Sequence, residues 1–147
     1  MTAAESGWVT AHIGASGFRT EITGGGQKFI ADEPVSVGGT ETGPTPYDYM
    51  LAALGACTVM TLRIYADRKK WPLEGASVQL RSSHTHEKDC ETCAEEKVDI
   101  GVVERRLTLD GPLTEEQRTR LHEIANRCPV KQTLERGIKI VPAPGSV

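Results

Sequence analysis

The stretch from Thr45 to about Lys70 constrains this chain more than any other. Thr45 suits a helix N-cap, Pro46 the first helical position, and Asp48 the first turn, where the helix dipole favours an acid. Tyr47, Met50, Leu51, Leu54, Cys57, Thr61, Ile64 and Tyr65 follow in steps of three and four, the pattern of one helix face. Arg63, Arg68, Lys69 and Lys70 come late, as the C-terminal dipole prefers, and Pro72 lies beyond the end. A long helix is therefore expected, with Cys57 mid-helix on its buried face. The most apolar run, Met50 to Met60, is too short to span a bilayer.

The flanking segments read as strands and short helices. Trp8–Ile13, Phe18–Ile22 and Gln27–Ala31 form a meander, broken by turns at Gly14-Ala15-Ser16-Gly17 and Gly24-Gly25-Gly26. A Gly- and Pro-rich loop spans 32–45. After the long helix, Val78, Leu80, Ser82, His84 and His86 share one face of a strand. A second strand runs from Val98 to about Leu109, with a parity change that predicts a bulge. Thr114-Glu115-Glu116-Gln117 matches a capping box, and Leu121, Ile124, Ala125 and Cys128 mark the buried face of the helix it opens. Pro129 interrupts that helix, a short helical segment runs to Arg136 with Gly137 as C-cap, and Ile138–Val141 is a final strand. The order β-β-β-α-β-β-α-α-β is that of a single α+β domain over 1–147.

Bulk properties narrow the partners. Net charge is −3, which argues against nucleic acid or an anionic membrane. Aromatics are 5%, too few for an extended base-stacking platform. The opening MTAAESGW carries an acid and no basic region, so no secretory signal is expected and a cytoplasmic protein is the default. In a reducing compartment the four cysteines, Cys57, Cys90, Cys93 and Cys128, point to catalysis or metal binding rather than structural bridges.

Two constellations could carry chemistry. Cys57 and Cys128 lie on the apolar faces of two different helices; they are either small core residues or a peroxidatic and a resolving thiol. His84, His86, Cys90 and Cys93 read H-x-H-x₃-C-x₂-C. That set is an incidental feature of an acidic hairpin tip, a tetrahedral zinc site, or a redox C-x-x-C pair.

The stretch Thr42-Gly43-Pro44-Thr45-Pro46-Tyr47-Asp48-Tyr49-Met50-Leu51-Ala52-Ala53-Leu54-Gly55-Ala56-Cys57-Thr58 resembles the helix-entry motif of the OsmC/Ohr family. Ala125-Asn126-Arg127-Cys128-Pro129-Val130 resembles its second cysteine motif. The resemblance covers nearly the whole chain and points to an OsmC-like branch. It implies an interleaved homodimer, with central long helices packed against β-sheets. It also implies a thiol-dependent peroxidase: Cys57 reduces an organic hydroperoxide, Cys128 resolves the sulfenic acid as a disulfide, and a dithiol or lipoyl group restores both thiols. No cofactor is required. Arg19 is the best match to a family arginine that pairs with the thiolate, and Asp48 is the acid nearest a family glutamate in the first turn of the helix. That glutamate's own position holds Tyr47, and Asp48 is turned about 100° away from it. This departure leaves open a second reading, an OsmC-like binding or metal-binding protein with weak or no peroxidase activity.

Overall fold

A computed structural model describes residues 7–84 and 101–145. The chain forms two compact units, Met1–Met50 with Ser82–Val102, and Leu51–Arg81 with Val103–Val147.

The first unit is built on an antiparallel sheet ordered β1 (Thr10–Ile13), β2 (Thr20–Gly24), β3 (Gln27–Ala31). β2 meets β3 with Ile22 opposite Phe29 and Gly24 opposite Gln27. Their connection is Gly25-Gly26, both at positive φ, the two-residue turn whose twist suits a hairpin. The loop after β3 is tied to one carboxylate. Asp32 is almost fully buried and accepts the Thr42 hydroxyl at 2.6 Å, the Thr40 hydroxyl, and the amides of Glu33, Thr40 and Thr42. The chain passes so close to β3 here that a Cβ on Gly43 would lie 2.2 Å from the Ile30 carbonyl oxygen.

Helix α1 (Pro46–Lys69) starts where Thr45 and Pro46 predict. Its buried line differs from the expected one. Leu54, Thr58, Leu62 and Ala66 are buried, whereas Ile64 is 52% exposed and Cys57 only half-buried. The helix is apolar nearly all round, so periodicity alone does not select the face that packs. By length and hydropathy α1 would pass for a membrane span, against the expectation drawn from Met50–Met60. Its buried line instead joins a packed core.

That core lies in the second unit. β4 (Gly75–Ser82) pairs with β5 (Val103–Asp110), and Glu74 N donates to Asp110 O at one end of the pair. Helices α1 and α2 (Glu115–Ala125) pack against them: Leu62, Ala66, Leu73, Leu109, Leu113, Leu121, Ile124 and Ala125 form one cluster, flanked by Tyr65, Trp71, Ala76 and Leu107. The architecture is α+β, as expected. The capping box is present: Thr114 Oγ1 accepts from Gln117 N, and Gln117 Oε1 accepts from Thr114 N. Arg118 donates to Leu109 O and Gly111 O, fastening α2 to the turn before it. After α3 (Pro129–Arg136), the expected strand Ile138–Val141 is absent; the segment is exposed and bonds to no strand among the described residues. Extended chain becomes a strand only with a neighbour to complete its ladder. β5 begins at Val103, at the expected parity change; Val102 just before it is outside the strand, its carbonyl accepting from Ser83 N, and 98–100 lie outside the described residues.

Candidate functional site

Cys57 and Cys128 are brought together within the second unit. Both are free thiols, Cys57 half-buried and Cys128 fully buried. Their side chains lie within hydrogen-bond reach of one another.

Local sequence explains the presentation of Cys128. Pro129 cannot donate to the preceding helix, so α2 ends and α3 begins with Cys128 as N-cap and Pro129 in its first turn. The Cys128 carbonyl accepts from Gln132 N at 3.1 Å, while its sulfur receives the amides of Val130 and Lys131. Arg105 on β5 steadies the approach: it donates to Ala125 O at 3.2 Å and to Asn126 Oδ1 at 2.7 Å, at the C-terminal end of α2. Gln132 Nε2 donates to Arg127 O at 3.0 Å across the same turn.

The surroundings act oppositely on the two sulfurs. Burial pushes the Cys57 thiol up, and donation of its proton to Cys128 pushes it further; the Val130 amide and Thr61 hydroxyl offset this only in part. Burial alone would also raise Cys128. It is outweighed by the Cys57 S–H, the Lys131 amide, the Thr58 hydroxyl and the Val130 amide, so Cys128 lies below the usual thiol range. Of the two, Cys57 is the harder to ionise and Cys128 the easier. Access runs the other way, since Cys57 is the sulfur a molecule from solvent meets first.

The sequence reading did not single out Thr58, and it placed Thr61 only on the expected apolar face of α1. A hydroxyl within an apolar helix beside a cysteine was the available sign for Thr58. Arg19 ion-pairs with Glu21 at 2.9 Å, both exposed. Asp48 caps α1: its carboxylate accepts from Thr45 N at 2.9 Å and Thr45 Oγ1 at 2.8 Å, and Asp48 N donates to Thr45 Oγ1. Tyr47 packs its ring against His84, 6.1 Å between centroids. His84 lies just beyond the end of β4 rather than within it, with its amide on Ser82 Oγ. His86, Cys90 and Cys93 lie outside the described residues, and no cluster of three or more metal-ligating side chains occurs among the described ones.

Residues 39–142 match the family model described as OsmC-like protein. No curated protein matches the chain. Solved structures match over most of its length. An OsmC-like protein from Mycoplasma pneumoniae is 17% identical, with 86% of this chain and 85% of that chain covered and a TM-score of 0.68. An organic hydroperoxide resistance protein OsmC from Legionella pneumophila is 23% identical, with 86% and 87% covered and a TM-score of 0.64. An organic hydroperoxide resistance protein from Elizabethkingia anophelis, crystallised with thiocyanate bound, is 18% identical, with 85% and 84% covered and a TM-score of 0.60. At these identities the likeness is one of fold.

Proposed function

Given that the chain belongs to the OsmC-like protein family, we propose that it is a thiol-dependent peroxidase that reduces organic hydroperoxides through Cys57 and Cys128. The observation that carries this reading is the close approach of two free cysteines, one accessible and one buried at a helix N-terminus. The Cys57 proton passes to Cys128, leaving a Cys57 thiolate. This attacks the distal peroxide oxygen: the S–O bond forms, the O–O bond breaks, and the alkoxide takes the proton from Cys128 to leave as an alcohol. Cys128, again a thiolate, attacks the Cys57 sulfenic acid; the S–S bond forms and hydroxide departs. A dithiol, such as a dihydrolipoyl group, returns two electrons, restores the thiols and is itself oxidised to a disulfide. Mass spectrometry after cumene hydroperoxide tests the scheme: a Cys57–Cys128 disulfide is expected within seconds, and its absence sinks the reading.

Arg19 as counter-cation to the thiolate and Asp48 as its orienting acid rest on resemblance. An unchanged pH profile of Cys57 alkylation in Arg19→Ala removes Arg19 from the scheme. We place the protein in the cytoplasm as a homodimer. Support for a second copy comes from the apolar face that α1 leaves uncovered in one chain: a groove of about 410 Å³ lined by Val59, Met60, Arg63, Ile64, Leu73 and Ala76. A second reading, a binding or metal-binding protein with weak peroxidase activity, is favoured by Tyr47 and by the zinc-type ligands His84, His86, Cys90 and Cys93. Disulfide formation over hours rather than seconds would favour it.

A further inference from the structure

Thr58 is the one polar side chain buried in the second unit among the described residues, with no exposed surface. It follows Cys57 in α1, and its hydroxyl lies between two acceptors. It donates to the Leu54 carbonyl at 2.8 Å and is within hydrogen-bond reach of the Cys128 sulfur. A hydroxyl has one proton and can accept as well as donate. While Cys128 is a thiol, the hydroxyl donates to Leu54 and is free to accept from the sulfur. When Cys128 is a thiolate, the hydroxyl turns and donates to the sulfur. Leu54 O tolerates this, because it remains the acceptor of the helical Thr58 amide. The rotor thus adapts to either charge state without moving the backbone.

Valine has nearly the same shape and no hydroxyl to satisfy, so packing alone does not ask for threonine at a fully buried helical position. The hydroxyl matters to the sulfur it faces. Together with the Val130 and Lys131 amides it makes a cradle of three donors around Cys128, in a place closed to water. A buried thiolate without such donors is costly.

We propose that Thr58 is a positioning residue for Cys128, receiving its sulfur as the leaving group when a dithiol reopens the Cys57–Cys128 disulfide. This rests on the peroxidase reading for the existence of that disulfide. The reductant thiolate attacks the accessible Cys57 sulfur. The Cys57–Cys128 bond breaks, and its electron pair stays on Cys128 as a thiolate held by the cradle. The second thiol of the reductant then attacks the mixed disulfide, releases the cyclic disulfide and leaves Cys57 reduced. Thiol–disulfide exchange is faster when the departing thiolate is stabilised, and attack falls on the sulfur that can be reached. Of the charged and titratable groups on the elements that form the cradle, Cys57 faces the sulfur from α1, Lys131 on α3 has its ammonium on Glu135, and Arg105 on β5 is engaged with Ala125 O and Asn126 Oδ1.

The test compares the full chain with Thr58→Val, Thr58→Ala and Thr58→Ser, each oxidised with diamide so that the disulfide does not depend on peroxide chemistry. Reduction by dithiothreitol is followed in stopped flow. Loss of one hydrogen bond to a charged sulfur is expected to slow reduction by about tenfold in Thr58→Val and Thr58→Ala. In a Cys57→Ala background, Thr58→Val should move Cys128 alkylation to higher pH. Thr58→Ser should restore both. A wild-type reduction rate in a folded Thr58→Val, or a Thr58→Ser as slow as Thr58→Val, overturns the assignment. So does failure of diamide to join the two cysteines. A disulfide that forms with diamide but not with hydroperoxide overturns the peroxidase reading and leaves this one standing.

Discussion

The Cys57 and Cys128 side chains lie within hydrogen-bond reach of one another, and that contact raises the Cys57 thiol and lowers Cys128. The accessible sulfur is the harder to ionise, while the buried sulfur sits against helix amides that favour its thiolate. In the proposed scheme the Cys57 thiolate attacks the peroxide, and Cys128 carries the proton that the departing alkoxide takes. Two coupled thiols titrate as a pair, so the behaviour of each is read best with the other removed.

Removing Cys128 removes two of the influences that keep Cys57 protonated, its hydrogen bond and its charge, and leaves burial. Cys128→Ser should therefore alkylate at Cys57 at lower pH than wild type. It should consume about one equivalent of hydroperoxide and then stall as the sulfenic acid. Removing Cys57 withdraws a donor from Cys128, so Cys57→Ala should alkylate at Cys128 at higher pH and turn over no peroxide. Iodoacetamide labelling across pH, followed by mass, reads both shifts. Shifts in the opposite directions would reverse the order of the two thiols.

The Asp32 carboxylate should make the first unit acid-sensitive. Hydrogen bonds from the Thr40 and Thr42 hydroxyls hold its carboxyl well below the usual range, helped by the Glu33 and Thr42 amides. A folded pKa below the unfolded one means the ionised form stabilises the fold. That stability is fully present above the unfolded carboxyl value, about 3.9, and is lost as pH falls through the folded value. Asp32→Asn should lower the urea midpoint at pH 7, and its deficit relative to wild type should shrink as pH falls below about 4. A deficit that stays constant with pH would assign the loss to geometry rather than charge.

What the sequence disclosed was local. Thr45-Pro46 and Thr114–Gln117 announce helix starts because the cap chemistry is complete within four residues. Gln27–Ala31 came out as read because a two-glycine turn fixes where it begins. The misread features depend on distant chain. The buried line of α1 is chosen by what packs on it, among apolar residues on every side. Ile138–Val141 has strand-like residues and no strand beside it. At the site, two motifs identify Cys57 and Cys128, but only the fold shows that they touch, or that Thr58 and the α3 amides face the second sulfur.

Met60 tests the second copy. It is 62% exposed in one chain, on the uncovered face of α1. An exposed substitution costs a lone chain less than about 0.5 kcal/mol. If a second copy covers this face, Met60→Asp buries a charge and should dissociate the pair. Sedimentation at low micromolar concentration is expected to show a dimer for wild type and a folded monomer for the variant. A monomeric wild type would end the homodimer assignment, and a dimeric Met60→Asp would place the interface elsewhere.

The last prediction concerns zinc. His84, His86, Cys90 and Cys93 supply two imidazoles and two thiolates within ten positions, a set that zinc accepts in tetrahedral geometry. The short span closes on a metal at little loop-closure cost. His84 is placed just past β4, with its ring against Tyr47, so a metal there would also fix the position of that ring. Protein purified without chelator should carry about one zinc per chain. Cys90→Ser should lower the zinc content and leave Cys57 alkylation unchanged, because the two thiol sets share no ligand. Zinc well below one equivalent in wild type, with Cys90 and Cys93 freely titratable, would exclude the site. A wild-type zinc content in Cys90→Ser would exclude this ligand set.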